Sequence, residues 1–252
     1  MTRRMDGWFY HVTLFVTGFV AGIINALAGG GPILTLGVLS LTGIDPRIAN
    51  LTSTVALSPG QLAAGWAVRH RLQDVRLGRP IMLLVIAILG GMAGAALLLA
   101  TASQTFNTLV PWLVLLATLI YAASGVSEIN ARSGAFANKH ILTALFAPLT
   151  FYGGYFGGGN SFLVLALLGL SGHEARESGE IKNVLVAAIN LGAVIVFAAS
   201  GSVNWPVVMS LGLGGVLGSL IGARLLGWLP VVLIRWIVII GGLALAAWML
   251  AR

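Results

Sequence analysis

Residues 18–71 read GFVAGIINALAGGGPILTLGVLSLTGIDPRIANLTSTVALSPGQLAAGWAVRHR. An apolar run stops at Gly29-Gly30-Gly31-Pro32, resumes over 33–42 and turns at Gly43-Ile44-Asp45-Pro46. It then re-enters as an apolar segment, 49–68, that carries Asn50, Thr52, Ser53, Thr54 and Gln61. In a bilayer, non-helical backbone is tolerated only where it is buried in protein or lines a cavity. A glycine break followed by a helix with a polar stripe therefore predicts a site built inside the membrane.

Composition supports that setting. The 252 residues are 58% hydrophobic and only 8% charged, with mean hydropathy +0.98. A soluble domain carries roughly a quarter charged residues, so this chain lacks the polar surface to face water all round. Apolar stretches of roughly 20 residues recur without strand alternation, which predicts an all-α polytopic integral membrane protein rather than a barrel. The expected location is the cell membrane, multi-pass, in a bacterial inner membrane. The net charge of +7 lies mostly in the connections, where Lys and Arg mark cytoplasmic loops and headgroups; no nucleic acid partner is expected. The absence of cysteine excludes disulfides, thiolate nucleophiles and Cys-ligated metals. Arg3, Arg4 and Ala26-Leu27-Ala28 mimic a cleavable leader, but the run continues into a glycine triplet whose counterpart lies deep in the chain.

That counterpart is the second signal. Gly157-Gly158-Gly159-Asn160 follows the apolar run 141–156, and a short apolar stretch, 161–170, comes next. Gly29–Gly31 align with Gly157–Gly159, and Leu41-Thr42-Gly43 with Leu170-Ser171-Gly172. Asp45 aligns with Glu174, Arg47 with Arg176, Val55 with Val184 and Gln61 with Asn190. The reading is two pseudo-symmetric repeats of four to five membrane segments with glycine-broken helices: 1–127, a connecting loop 128–140, and 141–252. Equivalent loops differ in charge: 69–79 carries Arg69, Arg71, Arg76 and Arg79, while 201–205 carries none. Loop 102–107 is uncharged, against Arg224 and Arg235 in the corresponding region. Opposite charge in equivalent loops favours inverted repeats, which put Arg3, Arg4 and Arg252 outside; the alternative, a parallel arrangement of four plus four spans, keeps both termini inside but exports Arg176, Lys182, Arg224 and Arg235.

The chemistry follows from the breaks. Half-helices beginning at Pro32 and Asn160 would offer free N–H groups and positive dipole ends. Pro suits a first turn and Asn a cap, and two such ends together make an anion cradle. Neither glycine run is followed by Lys-Ser/Thr, so a P-loop does not fit. Asn50, Ser53, Thr54, Leu57 and Gln61 share one helical face, and Gly179, Lys182, Asn183, Val186 and Asn190 share the equivalent one. The candidate binding residues are Gly29, Gly30, Gly31, Asn50, Thr52, Ser53, Thr54, Gln61, Gly157, Gly158, Gly159, Asn160, Ser161, Lys182, Asn183 and Asn190. Close helix packing by glycine, amide glue between helices, and snorkelling of Lys182 are the competing readings. Glu180 would pair with Lys182 or Arg176. The histidines, His11, His70, His140 and His173, form no zinc pattern and read as interfacial. No metal, no cofactor and no enzyme activity are expected, since no nucleophile–base pair or acid pair lies within a span.

On the residues Gly22–Pro32, Gly43–Thr54, Gly157–Asn160 and Lys182-Asn183, nearly the whole chain resembles the sulfite exporter TauE/SafE family, also called toluene sulfonate uptake permeases. The resemblance implies a membrane transporter, an exporter of small sulfur-containing anions such as sulfite or organosulfonates, bound at the repeat interface near the bilayer midplane. An anion channel or an uptake permease for another small anion is the alternative. The implied partners are the small anion and the bilayer; a homo-oligomer is left open by the sequence.

Overall fold

The structure, a computed structural model, describes residues 7–27, 29–75, 79–127, 139–225 and 231–251. These are helical nearly throughout. In chain order the helices are α1 (Gly7–Leu27), α2 (Gly31–Leu41), α3 (Pro46–Ala67), α4 (Pro80–Ala100) and α5 (Ser103–Ser127), then α6 (Lys139–Tyr155), α7 (Asn160–Leu170), α8 (Ala175–Ala199), α9 (Trp205–Leu225) and α10 (Val231–Leu250). A 3-10 turn, Arg69–Asp74, joins α3 towards α4. Most of the connector 128–140 lies outside the described residues, as do Arg76, Glu128 and Arg132.

Local chemistry sets the ends. Asp45 caps α3, its Oδ1 accepting from the N–H groups of Arg47 (3.0 Å) and Ile48 (3.4 Å), with Pro46 behind it. Both short helices close on a left-handed glycine, Gly43 (φ 90°) after α2 and Gly172 (φ 80°) after α7. In each, the next N–H reaches back five residues, Ile44 to the Leu39 carbonyl and His173 to the Leu168 carbonyl. The polar stretch 102–107 reads as a loop, but α5 already starts at Ser103. Gln104 and Asn107 are exposed while Phe106 and Val110 are buried, so the first turns are amphipathic and stay helical. Likewise the polar stretch 171–179 reads as a turn, but α8 already begins at Ala175, its first turn closed by Ser178 N–H on the Glu174 carbonyl.

Among the described residues, five helices are long and apolar enough to cross a membrane: Gly7–Ala26, Pro80–Ala100, Ser103–Ile120, Glu177–Ala199 and Trp205–Gly222. The α8 span is 67% buried against 28–39% for the other four, which puts it at the centre. Helix α3 is long enough to cross but too polar to qualify by hydropathy. Its Asn50, Thr52, Ser53, Thr54, Ser58 and Gln61 are all buried, so protein shields them from lipid. The outer helices show lipid a layer of large apolar side chains, such as Ile81 and Leu89 on α4 and Met209 and Leu213 on α9. At 11 residues each, α2 and α7 span about 16 Å, roughly half a hydrocarbon core.

Helix α1 packs on α9, and α4 packs on both α6 and α8, at backbone contact distance. Gly18 and Gly22 of α1 lie against the carbonyls of Leu211 and Gly215, and Gly94 of α4 against the carbonyl of Phe151. Matching positions rise together along α1 and α9, so the two run parallel; so do α4 and α6. Helices α3 and α8 cross antiparallel, with Gly65 against Asn183 and Ala187 while Gln61 meets Asn190. Helix termini gather at two ends. One end holds Asp45, bonded to Asn107 (3.2 Å), and Arg47, whose guanidinium donates to the Leu99 and Thr101 carbonyls. The opposite end holds the 3-10 turn and the start of α8, joined by Arg71 and Glu180.

Candidate functional site

The two glycine breaks meet. A side chain on Gly29 would overlap Ser161, whose Oγ lies 2.7 Å from where its Cβ would sit. Gly29 (φ 84°) and Gly159 (φ 79°) adopt a left-handed backbone that other residues rarely take. Gly29 through Gly31 and Gly157 through Ser161 are all buried, so neither break faces lipid. The side chains of Tyr152 and Asn50 hold the second break: the Tyr152 hydroxyl donates to the Gly158 carbonyl (3.0 Å) and Asn50 Nδ2 to the Tyr155 carbonyl (3.2 Å). Thr54 Oγ1 lies 3.2 Å from the Cβ position of Gly157.

Helices α2 and α7 start at these breaks, and no side chain caps either one. Pro32 has no N–H, and those of Ile33 and Phe162 turn back on the Gly30 and Gly159 carbonyls (3.2 and 3.0 Å), so the N–H groups of Gly31, Asn160 and Ser161 are the ones without a partner among the described residues, beside the positive ends of both dipoles. Beside these termini runs a line of amides. Asn160 Nδ2 donates to Asn190 Oδ1 (3.4 Å), and Asn190 Nδ2 donates to Gln61 Oε1, linking α7, α8 and α3. Ser53 Oγ and Asn25 Oδ1 are sealed from solvent without a hydrogen-bond partner among the described residues.

The sequence candidates therefore divide. Gly29–Gly31, Asn50, Thr54, Gln61, Gly157–Ser161 and Asn190 come together around the breaks, with Ser53 on the same helical face. Thr52 is buried, but its Oγ1 accepts the Asn204 N–H (3.3 Å) and ties down the approach to α9. Lys182 and Asn183 stand about two turns from Asn190, roughly 12 Å along α8, towards the charged end. Lys182 is 5% exposed and forms no ion pair among the described residues. Glu180, expected to pair with Lys182 or Arg176, meets Arg71 Nε at 2.6 Å where the 3-10 turn folds onto α8; the Arg176 side chain lies outside those described. His173, expected at an interface, has a fully buried side chain 3.1 Å from Glu177. Asn25 escaped the sequence reading; its one signal is a lone amide inside an apolar helix.

A buried, uncapped pair of helix N-termini can hold a small anion without a metal or a covalent step. A model of the family described as "Sulfite exporter TauE/SafE" matches residues 14–249. The chain belongs to the sulfite exporter TauE/SafE family. Among curated relatives, the "Probable membrane transporter protein ORF9" of Sinorhizobium is 28% identical over 241 residues, covering 94% of this chain and 91% of that one. A "Probable membrane transporter protein" of Haemophilus influenzae is 29% identical, covering 90% and 89%. The "Probable membrane transporter protein YfcA" of Escherichia coli K12 is 26% identical, covering 84% and 79%. No solved structure matches. This TauE/SafE protein is a multi-pass membrane transporter with bacterial relatives.

Proposed function

We propose that this transporter is a secondary carrier that exports small sulfur-containing anions, sulfite or organosulfonates, held between the two helix breaks near mid-depth. The observation that carries the reading is the meeting of two uncapped half-helix N-termini in a buried setting, beside Asn160, Asn190 and Gln61. Half-helix ends aimed at a carboxylate or other anion are a recurring device of secondary transporters. Lys182 would attract the anion from the cytoplasmic side without trapping it at the breaks.

The reading includes two inverted repeats, 1–127 and 141–252. Its support is the exchange of partners: α1 on α9 and α6 on α4, α2 on α3 and α7 on α8, with α3 and α8 antiparallel. Charge supports the orientation. Arg69, Arg71, Arg76 and Arg79 separate α3 from α4, and Arg132 separates α5 from α6, so that end faces the cytoplasm. With no native cysteine to remove, single cysteines replacing the exposed Gln104 and His70 check this. Gln104→Cys reacts with an impermeant maleimide on intact cells, and His70→Cys reacts only after permeabilisation. The reverse pattern rules the orientation out.

Flux tests the site. In proteoliposomes, Asn160→Ala lowers sulfite flux at least tenfold, about 1.4 kcal/mol of lost binding or barrier stabilisation. Lys182→Ala lowers flux at limiting substrate and less at saturation. Wild-type flux in both variants removes the proposed site.

A further inference from the structure

The walls of the proposed site are rich in donors: the N–H groups of Gly31 on α2 and of Asn160 and Ser161 on α7 and, further along α8, the Lys182 ammonium. An anion answers donors. It can accept from Asn25 Nδ2, but it does not answer Asn25 Oδ1, which is an acceptor. This residue lies on α1 one turn before the first break and is 8% exposed, and its Oδ1 is sealed from solvent without a hydrogen-bond partner among the described residues. Its backbone carbonyl accepts the Gly29 N–H (3.0 Å), and its Cβ lies 2.8 Å from the Cβ position of Gly31, the first residue of α2. The amide therefore sits beside an uncapped half-helix start. Burying an amide carbonyl without a partner is costly, and a leucine here would avoid that cost. A fully ionised oxyanion cannot repay it, because two acceptors repel.

We propose that Asn25 selects substrates that bring one hydrogen-bond donor of their own, so that a small monoanion bearing an O–H is preferred over the same anion without it. The inference rests on the anion reading above and narrows its substrate class. Two sources supply this chemistry: an oxyanion still protonated on one oxygen, or a sulfonate carrying a hydroxyl. The described carboxylates fit the first source. Asp45, Asp74, Glu174, Glu177 and Glu180 all lie at helix ends or in connections, so a proton that crosses with the anion would travel on the substrate. Of the described side chains, the titratable ones on α1 and the helices packed on it are Tyr10 and His11 on α1 and Arg47 on α3; α2 carries none. His11 is engaged with Ser210 and Arg47 with two carbonyls, both away from the break.

The test uses the full chain in proteoliposomes and two flux ratios. The first compares 2-hydroxyethanesulfonate with ethanesulfonate at one pH. The second compares sulfite below and above its second ionisation, each value normalised to ethanesulfonate at the same pH, which cancels titration of the protein. At limiting substrate, the wild type favours the donor-bearing form about tenfold or more in at least one ratio. Asn25→Leu collapses that ratio to within about twofold while ethanesulfonate flux persists, and Asn25→Ser, which keeps an acceptor, restores part of it. Loss confined to the first ratio identifies a hydroxysulfonate; loss confined to the second identifies a protonated oxyanion. The inference is overturned if neither ratio exceeds twofold in the wild type, or if Asn25→Leu and Asn25→Ser both leave the ratios unchanged. A wild type that moves none of these anions overturns the anion reading itself.

Discussion

Gly94→Leu abolishes folded protein in mild detergent, while Gly241→Leu leaves it intact. At Gly94 a Cβ would overlap the Phe151 carbonyl and come 2.6 Å from the Tyr155 nitrogen, all backbone atoms of α6 that cannot swing away. Helices α4 and α6 would have to separate along their shared face, and α6 leads directly into the second break. Overpacking costs typically about 1–3 kcal/mol even where side chains can adjust; here, with backbone on both sides, the loss exceeds about 3 kcal/mol. Gly241 meets nothing within 4 Å, so a leucine there gains helix propensity of up to about 1 kcal/mol. Thermal unfolding followed by size-exclusion fluorescence reads both. Equal melting temperatures for the two variants would show that the close approach of α4 and α6 does not hold the fold. Gly22→Leu, against Gly215 and Ser219, repeats the experiment at the α1–α9 contact.

Asn190→Leu separates stability from transport. Asn190 stands between Asn160 and Gln61, all three buried. Leucine leaves the Asn160 amide and the Gln61 carbonyl unpaired, at about 1–3 kcal/mol for each orphaned group. It also frees Asn160, the first residue of α7, to shift from the break. Misplacing a binding group by about 1 Å can cost on the order of a hundredfold in rate, so flux falls by one to two orders of magnitude. The double variant Gln61→Leu with Asn190→Leu replaces paired amides by apolar contact across α3 and α8. It recovers about half the lost stability or more, since two partners removed together leave fewer orphans. Flux does not recover. A double variant that regained both would make the amide line a structural strut rather than part of the path.

Helix ends and breaks were legible because they depend on neighbours in the chain. Pro46 and Pro80 begin helices, Gly43 and Gly172 end them, and the glycine triplets interrupt them, each through local backbone geometry that no tertiary contact needs to supply. The polar stripe on α3 was legible for the same reason, since Asn50, Thr54 and Gln61 share a face by helical period alone. Gly90, Gly91 and Gly94 in the apolar run of α4 are small residues that allow another backbone to come close, but spacing names no partner. That the partners are α6 and α8 and not the adjacent α5 is decided by packing across the whole bundle.

The amino-acid order by itself determined a membrane protein of apolar helices, two glycine breaks, a polar-faced helix after each, and the family to which they belong. Only the tertiary structure decided that Gly29 touches Ser161, that Thr52 serves the start of α9, that Glu180 answers Arg71, and that Asn190 joins Asn160 to Gln61. The physical reason is range. Propensity, capping and periodicity act over a few residues, whereas the site is assembled from groups more than a hundred residues apart, whose meeting depends on how closely helix backbones can approach.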